Sequence, residues 1–495
     1  MSRIIIQNGN LCELDLPLKF AQKLYNEFAI RHPNAFYLRT RQRGMQNWDG
    51  KIHYITKTGQ FKIGLLPKVY DMCIEMGIKP KVVDMRQPLP KVSKVVTNIG
   101  KYKLRPEQEK AVKAVINNKI GNTPFHIGVL DYTVNAGKTL IMSSLYLSYK
   151  KQLKTLLITN DSDWLNQARE EFKQYLPGED ITFVQGKVLN WSNFTIGMVQ
   201  SISRNMRFYQ KELSQIDMVL IDEADQGGSR QYQNVITRLF NTRIRIGLSG
   251  TIYMSKLAKD KVKNMNLECF FGKVLAEFKL RDSIKKGYST KTVVKMVPGK
   301  PWYGNWESDC ISYKEIYDDS ITNSYTAWLM AYSRLRWNIN QGRYPALVVC
   351  KHIAHCENLY KFFKKKLGDA YNIAYVHVNT KSKLRQQIMK DFRDGKIDIL
   401  VSTTIIARGK NFPKLRYLLN AASMDSQEKS IQFLGRLVRT DKSKKKVYLD
   451  DLHYPGNYLD RHGKHRKQYY QRQELKVILL DKLWKKHPNH SLIQS

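Results

Sequence analysis

The stretch FHIGVLDYTVNAGKTLIMSSLYLSYKK, residues 125–151, decides the fold. It begins with an apolar run at 125–130, passes through a short loop, and ends in a segment at 139–151 that is typical of a helix. A loop between a buried strand and a helix presents backbone N–H groups and a helix N-terminus, which together bind phosphate. We therefore predict a phosphate-binding loop. Its residues are Asn135, Ala136, Gly137, Lys138 and Thr139.

The residue types of this loop suit a nucleoside triphosphate. We expect Lys138 to neutralise the β- and γ-phosphate oxygens, and the hydroxyl of Thr139 to ligate Mg²⁺. The full glycine-rich pattern is not met, because Tyr132 stands at its first position. Arg105 and Gln108, upstream of the loop, are predicted to reach the adenine. The sequence thus predicts ATP and Mg²⁺ as cofactors.

Two carboxylates follow a second apolar run, at 218–221. Ligands of parallel sheets bind at the carboxyl ends of the strands, so these side chains are expected beside the phosphate loop. Asp222 is predicted to hold Mg²⁺, and Glu223 to orient or deprotonate the attacking water. Ser249 and Thr251 follow the run RIGLS and are predicted to couple the phosphate site to bound nucleic acid.

Strands alternate with amphipathic segments from about residue 103, which indicates a mostly parallel sheet covered by helices. We predict an α/β protein with two such units in tandem, a small α+β N-terminal domain, and a basic C-terminal extension that ends in a helix at 471–486. The short run at 61–67 reads as a strand. The predicted domains are 1–95, 96–271, 272–450 and 451–495.

The second unit contains the run QFLGRLVR at 432–439. Arg436 and Arg439 are three residues apart, so a helix would place both on one face. Two planar cations on one face are suited to contact a triphosphate across a cleft, in the manner of an arginine finger. Gln432, Arg436 and Arg439 are therefore predicted to act in catalysis.

The charge indicates a polyanionic partner. Lys and Arg number 83 against 43 Asp and Glu, a formal net charge of +40. A membrane is not expected as the partner, because no segment approaches 18 uninterrupted apolar residues. The first residues lack the pattern of a leader, and the six cysteines form no C-x-x-C pair, so we expect a reducing, cytoplasmic environment.

Polar residues at the predicted loop ends are candidates for gripping nucleic-acid phosphates, as hydroxyl, amide and backbone N–H groups commonly do. The run CKHIAHC, residues 350–356, does not have the spacing of a known zinc module, so no metal is expected there. The candidate phosphate contacts are Asn160, Gln200, Ser201, Thr380, Thr403 and Thr404.

The motifs NAGKT, IDEAD, GLSGT and QFLGRLVR, in this order, resemble those of the superfamily-two helicases over about residues 100–450. Gln432 in place of a histidine favours the branch that acts on DNA over the DEAD-box RNA helicases. Outside these motifs, NWDGKI (47–52) and FGKVLAEFKLRDSIKKGY (271–288) are similar to the UvsW-type recombination helicases of tailed bacteriophages.

This resemblance implies two tandem RecA-like domains and a motor that remodels forks, Holliday junctions, D-loops and R-loops. It implies branched and duplex DNA as partners, RNA within hybrids, and a monomer that works with recombination proteins. It also assigns nucleotide contacts to Gly409 and Asn411, the latter standing where the family has Asp, and duplex binding to the N-terminal domain. The N-terminal contacts would be Arg39, Arg41, Arg43, Trp48 and Lys51.

Two other functions remain open from the residues alone. One is an RNA helicase, because side chains that grip the phosphate backbone do not distinguish RNA from DNA. The other is a basic binding and strand-annealing protein whose ATPase is vestigial. ATP turnover with and without DNA separates this second function from a motor.

Overall fold

The computed structural model describes residues 2–42, 44–149, 152–186, 188–252, 258–299, 312–407 and 412–480. The chain forms two compact units, Met1–Phe278 and Lys279–Ser495. Each unit is built around a mostly parallel β-sheet with helices packed against it, which confirms the predicted tandem α/β architecture. Among the described residues, no helix has both the length and the apolar character needed to cross a membrane.

The first unit contains an eight-stranded sheet whose neighbouring strands are parallel, except at one edge. Its central strands are mainly apolar, as expected for strands buried on both faces, although they include polar exceptions such as the fully buried Arg245. Their carboxyl ends therefore meet at one edge of the sheet. In spatial order the strands are Val188–Leu189, Ile181–Gln185, Phe194–Met198, Thr155–Thr159, Met218–Asp222, Ile244–Ser249, His126–Tyr132 and Val274–Phe278.

The helices of this sheet domain connect successive strands, as parallel strands require. A 3₁₀ turn, Ala224–Gln226, follows the acidic strand end. The helices are Pro106–Ile116, Lys138–Ser148, Ser162–Tyr175, Val199–Arg204, Gln210–Ser214, Arg230–Ile236 and Ala258–Phe271.

The second unit contains a seven-stranded sheet that is parallel throughout. In spatial order its strands are Ile373–Val376, Ile399–Thr403, Ala346–Cys350, Tyr417–Asn420, Lys446–His453, Lys291–Pro298 and Val477–Leu479. Its α-helices are Leu280–Lys285, Tyr313–Tyr317, Tyr325–Ile339, Ile353–Leu367, Ser382–Asp394, Gln427–Leu437 and Asn457–Arg472, with a π-helical turn at Asp318–Thr322 and a 3₁₀ turn at Thr404–Ala407.

The C-terminal segment contributes to the sheet of the second unit. Residues 451–453 complete the strand Lys446–His453, and Val477–Leu479 pairs with Lys291–Pro298. The predicted helix at 471–486 is wrong within the described residues, because a helix ends at Arg472 and a strand follows. At the other boundary, Val274–Phe278 pairs with His126–Tyr132, so it lies with the first unit.

The N-terminal residues form a small α+β domain with one four-stranded sheet. The run at 61–67, which the sequence predicts as a strand, instead ends a short strand and enters a helix with Pro67 in its first turn, where proline is favoured. The sheet has the order Gln60–Lys62, Leu11–Asp15, Arg3–Ile6 and Lys81–Asp84, and the helices are Leu18–Glu27, Ala35–Arg41 and Leu66–Glu75, with a 3₁₀ turn at Ile63–Leu65 and a short hairpin of Ala29–Arg31 with Lys51–His53.

This small domain shares one hydrophobic core with the first parallel sheet. The core includes Ile6 and Leu66 from the small domain, and Ile127 and Phe271 from the sheet domain. Arg245, fully buried on the strand Ile244–Ser249, also joins the two parts. Its guanidinium donates hydrogen bonds to the carbonyl oxygen of Gly9 at 2.7 Å, to Oδ1 of Asn10 at 2.8 Å and to the carbonyl oxygen of Phe270 at 3.1 Å.

We predict that Arg245→Met destabilises the protein by about 2–5 kcal/mol, because it leaves buried acceptors without their donor. The measurement is the free energy of unfolding of the full chain in urea. Arg238→Met is the matched control, because Arg238 is exposed and such changes stay within about 0.5 kcal/mol. Equal stability of the two variants would contradict the role given to Arg245.

Candidate functional site

The loop after the strand His126–Tyr132 has the geometry of a phosphate cradle. Asn135 and Gly137 have φ of +62° and +73°, in the left-handed region that favours glycine, and a helix begins directly at Lys138. The hydroxyl of Thr133 and the amide nitrogen of Asn135 are buried without a hydrogen-bond partner among the described residues. Both groups can donate to an oxyanion, so the loop fits the phosphates of a nucleotide.

Arg105 and Gln108 support this loop. The amide nitrogen of Gln108 donates to the carbonyl oxygen of Ala136 at 2.8 Å. The guanidinium of Arg105 donates to the backbone carbonyl oxygen of Asn135 at 3.2 Å. The backbone N–H of Arg105 donates to Oε1 of Gln108 at 2.8 Å, which fixes the amide orientation. The structure thus brings both residues to the phosphate loop, and their contact with adenine remains a prediction.

Asp222 places a buried carboxylate beside the loop. Burial raises the pKa of this carboxyl, whereas the ammonium of Lys138 opposes the rise and favours the ionised form. Asp225 and Asp161 add further negative charge close by. Asp161 was not predicted, although its position after the strand Thr155–Thr159 is a signal of the same kind as that of Asp222.

The acidic group suits a divalent cation that arrives with phosphate. Hard cations such as Mg²⁺ prefer oxygen ligands and commonly use one or two carboxylates together with phosphate oxygens. Among the described residues, no cluster of three or more acidic, histidine or cysteine side chains could hold a metal by itself. Asp222 and Thr139 fit Mg²⁺ ligation in this shared manner. Glu223 follows Asp222 with φ of +53°.

Ser249 connects the acidic turn to the end of its own strand. Its hydroxyl donates to Oδ1 of Asp225 at 2.8 Å and lies 3.1 Å from the hydroxyl of Thr251. The backbone N–H of Thr251 also donates to the Ser249 hydroxyl, at 3.1 Å. These bonds link the motif that contains Asp222 to the segment after Ser249, which is the connection that the predicted coupling role needs.

The first unit brings its candidate nucleic-acid contacts together. The amide nitrogen of Gln200 donates to the carbonyl oxygen of Asn160 at 3.3 Å, so the ends of two adjacent strands meet through these residues. The hydroxyl of Ser201 accepts a hydrogen bond from the backbone N–H of Gly186 at 3.0 Å. The side-chain oxygens of Asn160 and Gln200 are buried without a partner among the described residues.

In the second unit, Thr403 and Thr404 lie at the carboxyl end of the strand Ile399–Thr403. The hydroxyl of Thr404 accepts a hydrogen bond from the ammonium of Lys429 at 3.3 Å. Thr380 lies after the neighbouring edge strand, and its hydroxyl accepts from the backbone N–H of His377 at 3.0 Å. Lys429 was not predicted as a site residue, because a lone lysine at the start of a helix gives no distinctive sequence pattern.

The helix Gln427–Leu437 carries Gln432 and Arg436, but it does not carry Arg439. The prediction that both arginines share one helix face is therefore wrong. Arg439 lies beyond the helix end, and its carbonyl oxygen accepts a hydrogen bond from the Thr290 hydroxyl at 3.1 Å. This bond belongs to the packing of Arg439 against the start of the strand Lys291–Pro298.

The histidine–cysteine run of the second unit is part of its core. Cys350, His355 and Cys356 are buried, and no metal cluster occurs among the described residues. Burial lowers the pKa of His355 to about 3, and charge repulsion from the nearby His352 lowers it further. His355 is therefore held as a neutral imidazole inside this core.

Two of the predicted DNA-contacting residues of the N-terminal domain line one surface cleft. Arg39 and Lys51 line it, and Arg41 lies on the same short helix as Arg39. Trp48 is partly buried, and its indole N–H donates to the carbonyl oxygen of Lys51 at 2.9 Å. This bond holds Trp48 against the backbone of a residue that lines the cleft. On the same helix the side chain of Phe36 is 78% exposed, and this residue was not among the predicted contacts.

Three predicted site residues lie outside the described residues. They are Arg43, Gly409 and Asn411.

Two family models match the two sheet domains. The res subunit of type III restriction enzymes matches residues 101–254, which contain the phosphate loop, Asp222 and Ser249. The helicase conserved C-terminal domain matches residues 331–441, which contain Thr403 and Arg436. A phosphate loop on one parallel sheet and a second such sheet define the class of two-domain nucleotide-binding motors. With these two domains, the chain belongs to the superfamily-two helicases.

Individual relatives are distant. A putative helicase of a Sulfolobus islandicus filamentous virus is 23% identical over 385 residues, which are 71% of this chain and 64% of that protein. The ATP-dependent RNA helicase CHR1 of Candida albicans is 23% identical over 231 residues, 46% of this chain and 33% of that protein. The chain thus spans less than two thirds of either relative. The crystal structure of UvsW from T4 aligns with 97% of this chain and 98% of its own, at 18% identity and a TM-score of 0.44.

We predict that Gly137→Ala lowers ATP turnover at least ~10-fold, because a Cβ at this position would overlap the side-chain amide of Gln108 and displace the loop. Gly178→Ala is the matched control. Gly178 also has positive φ, +79°, but a Cβ there meets nothing within 4 Å. Both variants carry the same backbone strain, so equal turnover in the two would contradict a specific role for the Gly137–Gln108 contact.

We predict that the second unit loses stability in acid through His355. The folded-state pKa of about 3 lies below the unfolded value near 6.5, so unfolding takes up a proton at any pH between them. Stability falls as the pH drops through this window, by about 2 kcal/mol at pH 5.

The measurement is the free energy of unfolding at pH 7 and pH 5, for the wild type and His355→Phe. Between pH 7 and pH 5, the free energy of unfolding of His355→Phe should fall by about 2 kcal/mol less than that of the wild type, because the variant lacks the titrating group. His32→Phe, which removes a histidine that is partly exposed, serves as the control. An identical acid loss in wild type and His355→Phe would show that His355 is not the group responsible.

Proposed function

We propose that this protein is an ATP- and Mg²⁺-dependent DNA helicase that remodels branched DNA, such as forks, Holliday junctions, D-loops and R-loops. The observation that carries the proposal is the buried carboxylate of Asp222 beside the ammonium of Lys138, at the edge of a helicase domain. A buried carboxyl whose pKa is raised by burial and opposed by a neighbouring cation is the kind of perturbed group that clusters at functional sites, and this one lies at a phosphate loop.

Bound ATP would supply the free energy for movement through transfer of its γ-phosphoryl group to water. Lys138 and the backbone of the phosphate loop neutralise and orient the phosphates. Asp222 and Thr139 hold Mg²⁺, and Glu223 positions the water. We assign catalytic roles in the second helicase domain to Gln432, Arg436 and Arg439.

Hydrolysis is coupled to nucleic acid through the strand ends of the first unit. The hydroxyl of Ser249 contacts Asp225, two residues after Glu223, so a change at the phosphate site reaches the segment at Thr251. Asn160, Gln200 and Ser201 lie at the ends of neighbouring strands of the same sheet. We assign these three residues to the phosphate backbone of the bound strand.

Three observations support DNA as the substrate. The first helicase domain matches a restriction-enzyme subunit, a kind of protein that acts on DNA. The chain has a formal net charge of +40, which suits binding by counterion release. The N-terminal domain presents Arg39 and Lys51 in one cleft, with Arg41 on the same helix as Arg39, and we assign this surface to duplex DNA.

A specific observation favours RNA as an alternative substrate. The chain is related to a yeast protein named as an ATP-dependent RNA helicase. The phosphate contacts assigned above reach groups that DNA and RNA share. The choice between the two therefore needs a direct comparison of substrates.

The test is ATP turnover without nucleic acid and with single-stranded DNA, a synthetic fork, a four-way junction, and RNA of matched length. Greatest stimulation on branched DNA is the expected result. Stimulation by RNA alone would replace the proposal with the RNA helicase. Absence of turnover on every substrate would leave a basic binding protein, and the proposal would fail.

In the same assays, we predict that Lys138→Ala cuts ATP turnover by at least ~10²-fold, because it removes the cation that neutralises the transferred phosphate. DNA affinity should stay at the wild-type level, measured by fluorescence anisotropy without nucleotide. Lys113→Ala is the control, since Lys113 is an exposed lysine paired with Glu109 on the first unit. Wild-type turnover in Lys138→Ala would contradict the assignment of the phosphate loop.

A further inference from the structure

The second unit holds two lysines close together at the carboxyl edge of its sheet. Lys351 directly follows the strand Ala346–Cys350, and Thr404 directly follows the strand Ile399–Thr403. These strands are parallel neighbours, and their last residues, Cys350 and Thr403, are register partners. Lys351 and Thr404 therefore emerge side by side. The ammonium of Lys429 donates a hydrogen bond to the Thr404 hydroxyl at 3.3 Å.

The two ammonium groups repel each other. Burial lowers the pKa of Lys351, and the nearby charge of Lys429 lowers it further. The carboxylate of Asp318 acts on Lys351 in the opposite sense, but more weakly than Lys429 does. Lys314 adds positive charge beside the neighbouring His352. The local charge is therefore net positive and is suited to an anion.

Lys351 is held in place by aromatic rings. Its ammonium lies 4.1 Å from the ring centre of Tyr313 and 4.8 Å from that of Tyr317. It also donates to the hydroxyl of Tyr313 at 3.0 Å. A lysine fixed between two rings loses less conformational freedom when it binds an anion than a freely moving surface lysine does.

We propose that Lys351, Lys429 and the hydroxyl of Thr404 hold one phosphodiester group of the bound nucleic-acid strand. The proposal rests on the proposed function and adds a defined phosphate contact to its second unit. Two ammonium groups and a hydroxyl supply donors for several oxygens of one phosphate. We call these three residues the lysine clamp.

A phosphate of the nucleotide is the competing ligand, because Lys429 shares a helix with Arg436. These residues are two helical turns apart, about 10 Å along the axis. Lys429 is instead tied to Thr404, and Lys351 comes from a different strand end, which places the clamp at the strand ends. Phosphates of a bound strand suit this position better than those of a nucleotide at Arg436.

The test uses the full chain and a fluorescent single-stranded DNA, without nucleotide, over a range of salt concentrations. The variants are Lys351→Met, Lys429→Met and the double variant. Methionine keeps the apolar stem between the tyrosine rings, so the fold is retained. Lys364→Met is the control, because it removes the same charge from an exposed lysine that pairs with Asp369. Thermal unfolding confirms that each variant is folded.

Each single variant should bind DNA about tenfold more weakly than Lys364→Met, as loss of a charge-assisted hydrogen bond predicts. The DNA affinity of the double variant should fall by a factor smaller than the product of the two single-variant factors, because both lysines hold the same phosphate. The slope of log affinity against log salt should become shallower by about 1 in the double variant, since one phosphate contact is lost. The KM for ATP at saturating DNA should stay unchanged.

Affinities and slopes equal to those of Lys364→Met would overturn the clamp. A raised KM for ATP with unchanged DNA affinity would also overturn it, and would assign the lysines to the nucleotide. Failure of the clamp alone would leave DNA-stimulated turnover in the wild type intact. Absence of DNA binding and of turnover in the wild type itself would overturn the proposed function, and the clamp with it.

Discussion

The meeting of parallel strand ends at one edge of the first sheet is the constraint that brings Lys138 close enough to the buried carboxylate of Asp222 to act on its charge. Burial alone would favour the protonated acid, and the ammonium beside it favours the ionised form that can ligate a cation. Neither group could be placed there by local structure, because they lie on different strand ends of the sheet. The parallel sheet brings them together, since Met218–Asp222 and His126–Tyr132 flank the strand Ile244–Ser249.

The same topology explains why chemistry collects at one edge of each sheet. In both units the central strands are mainly apolar, and most polar side chains of the candidate sites follow the last strand residues. Asn160 and Gln200 meet in this way in the first unit, and Lys351 and Thr404 in the second. Residues distant in sequence become neighbours because parallel strands end together.

Much of this arrangement can be predicted from the sequence, because its signals are local. The runs at 155–159, 218–222 and 346–350 are continuous and apolar, and each forms a strand with those bounds. The short apolar run at 61–67 has no period that separates a strand from the start of a helix, so its prediction was wrong. The prediction that Arg439 shares a helix with Arg436 was also wrong, because a three-residue spacing does not reveal where a helix ends.

Contacts between distant residues could not be predicted from the sequence. The helix Asn457–Arg472, in the segment predicted as a basic extension, buries His465 and Arg466. Only the fold shows that Arg466 bonds to the buried Asp451, at 2.9 Å, and that His465 bonds to Asp425. The repulsion between Lys351 and Lys429 is hidden in the same way, since no pattern connects two lysines on separate elements.

The buried Arg245 has a consequence for how the small domain works. It joins Gly9 and Asn10 to the strand that ends at Ser249, and the two parts share one core. Separating them would expose apolar surface and leave a buried cation without its acceptors, which is costly. The surface around Arg39 therefore belongs to the same compact unit as the phosphate loop. A nucleic acid bound there, as proposed, would be held on the unit that carries the phosphate loop.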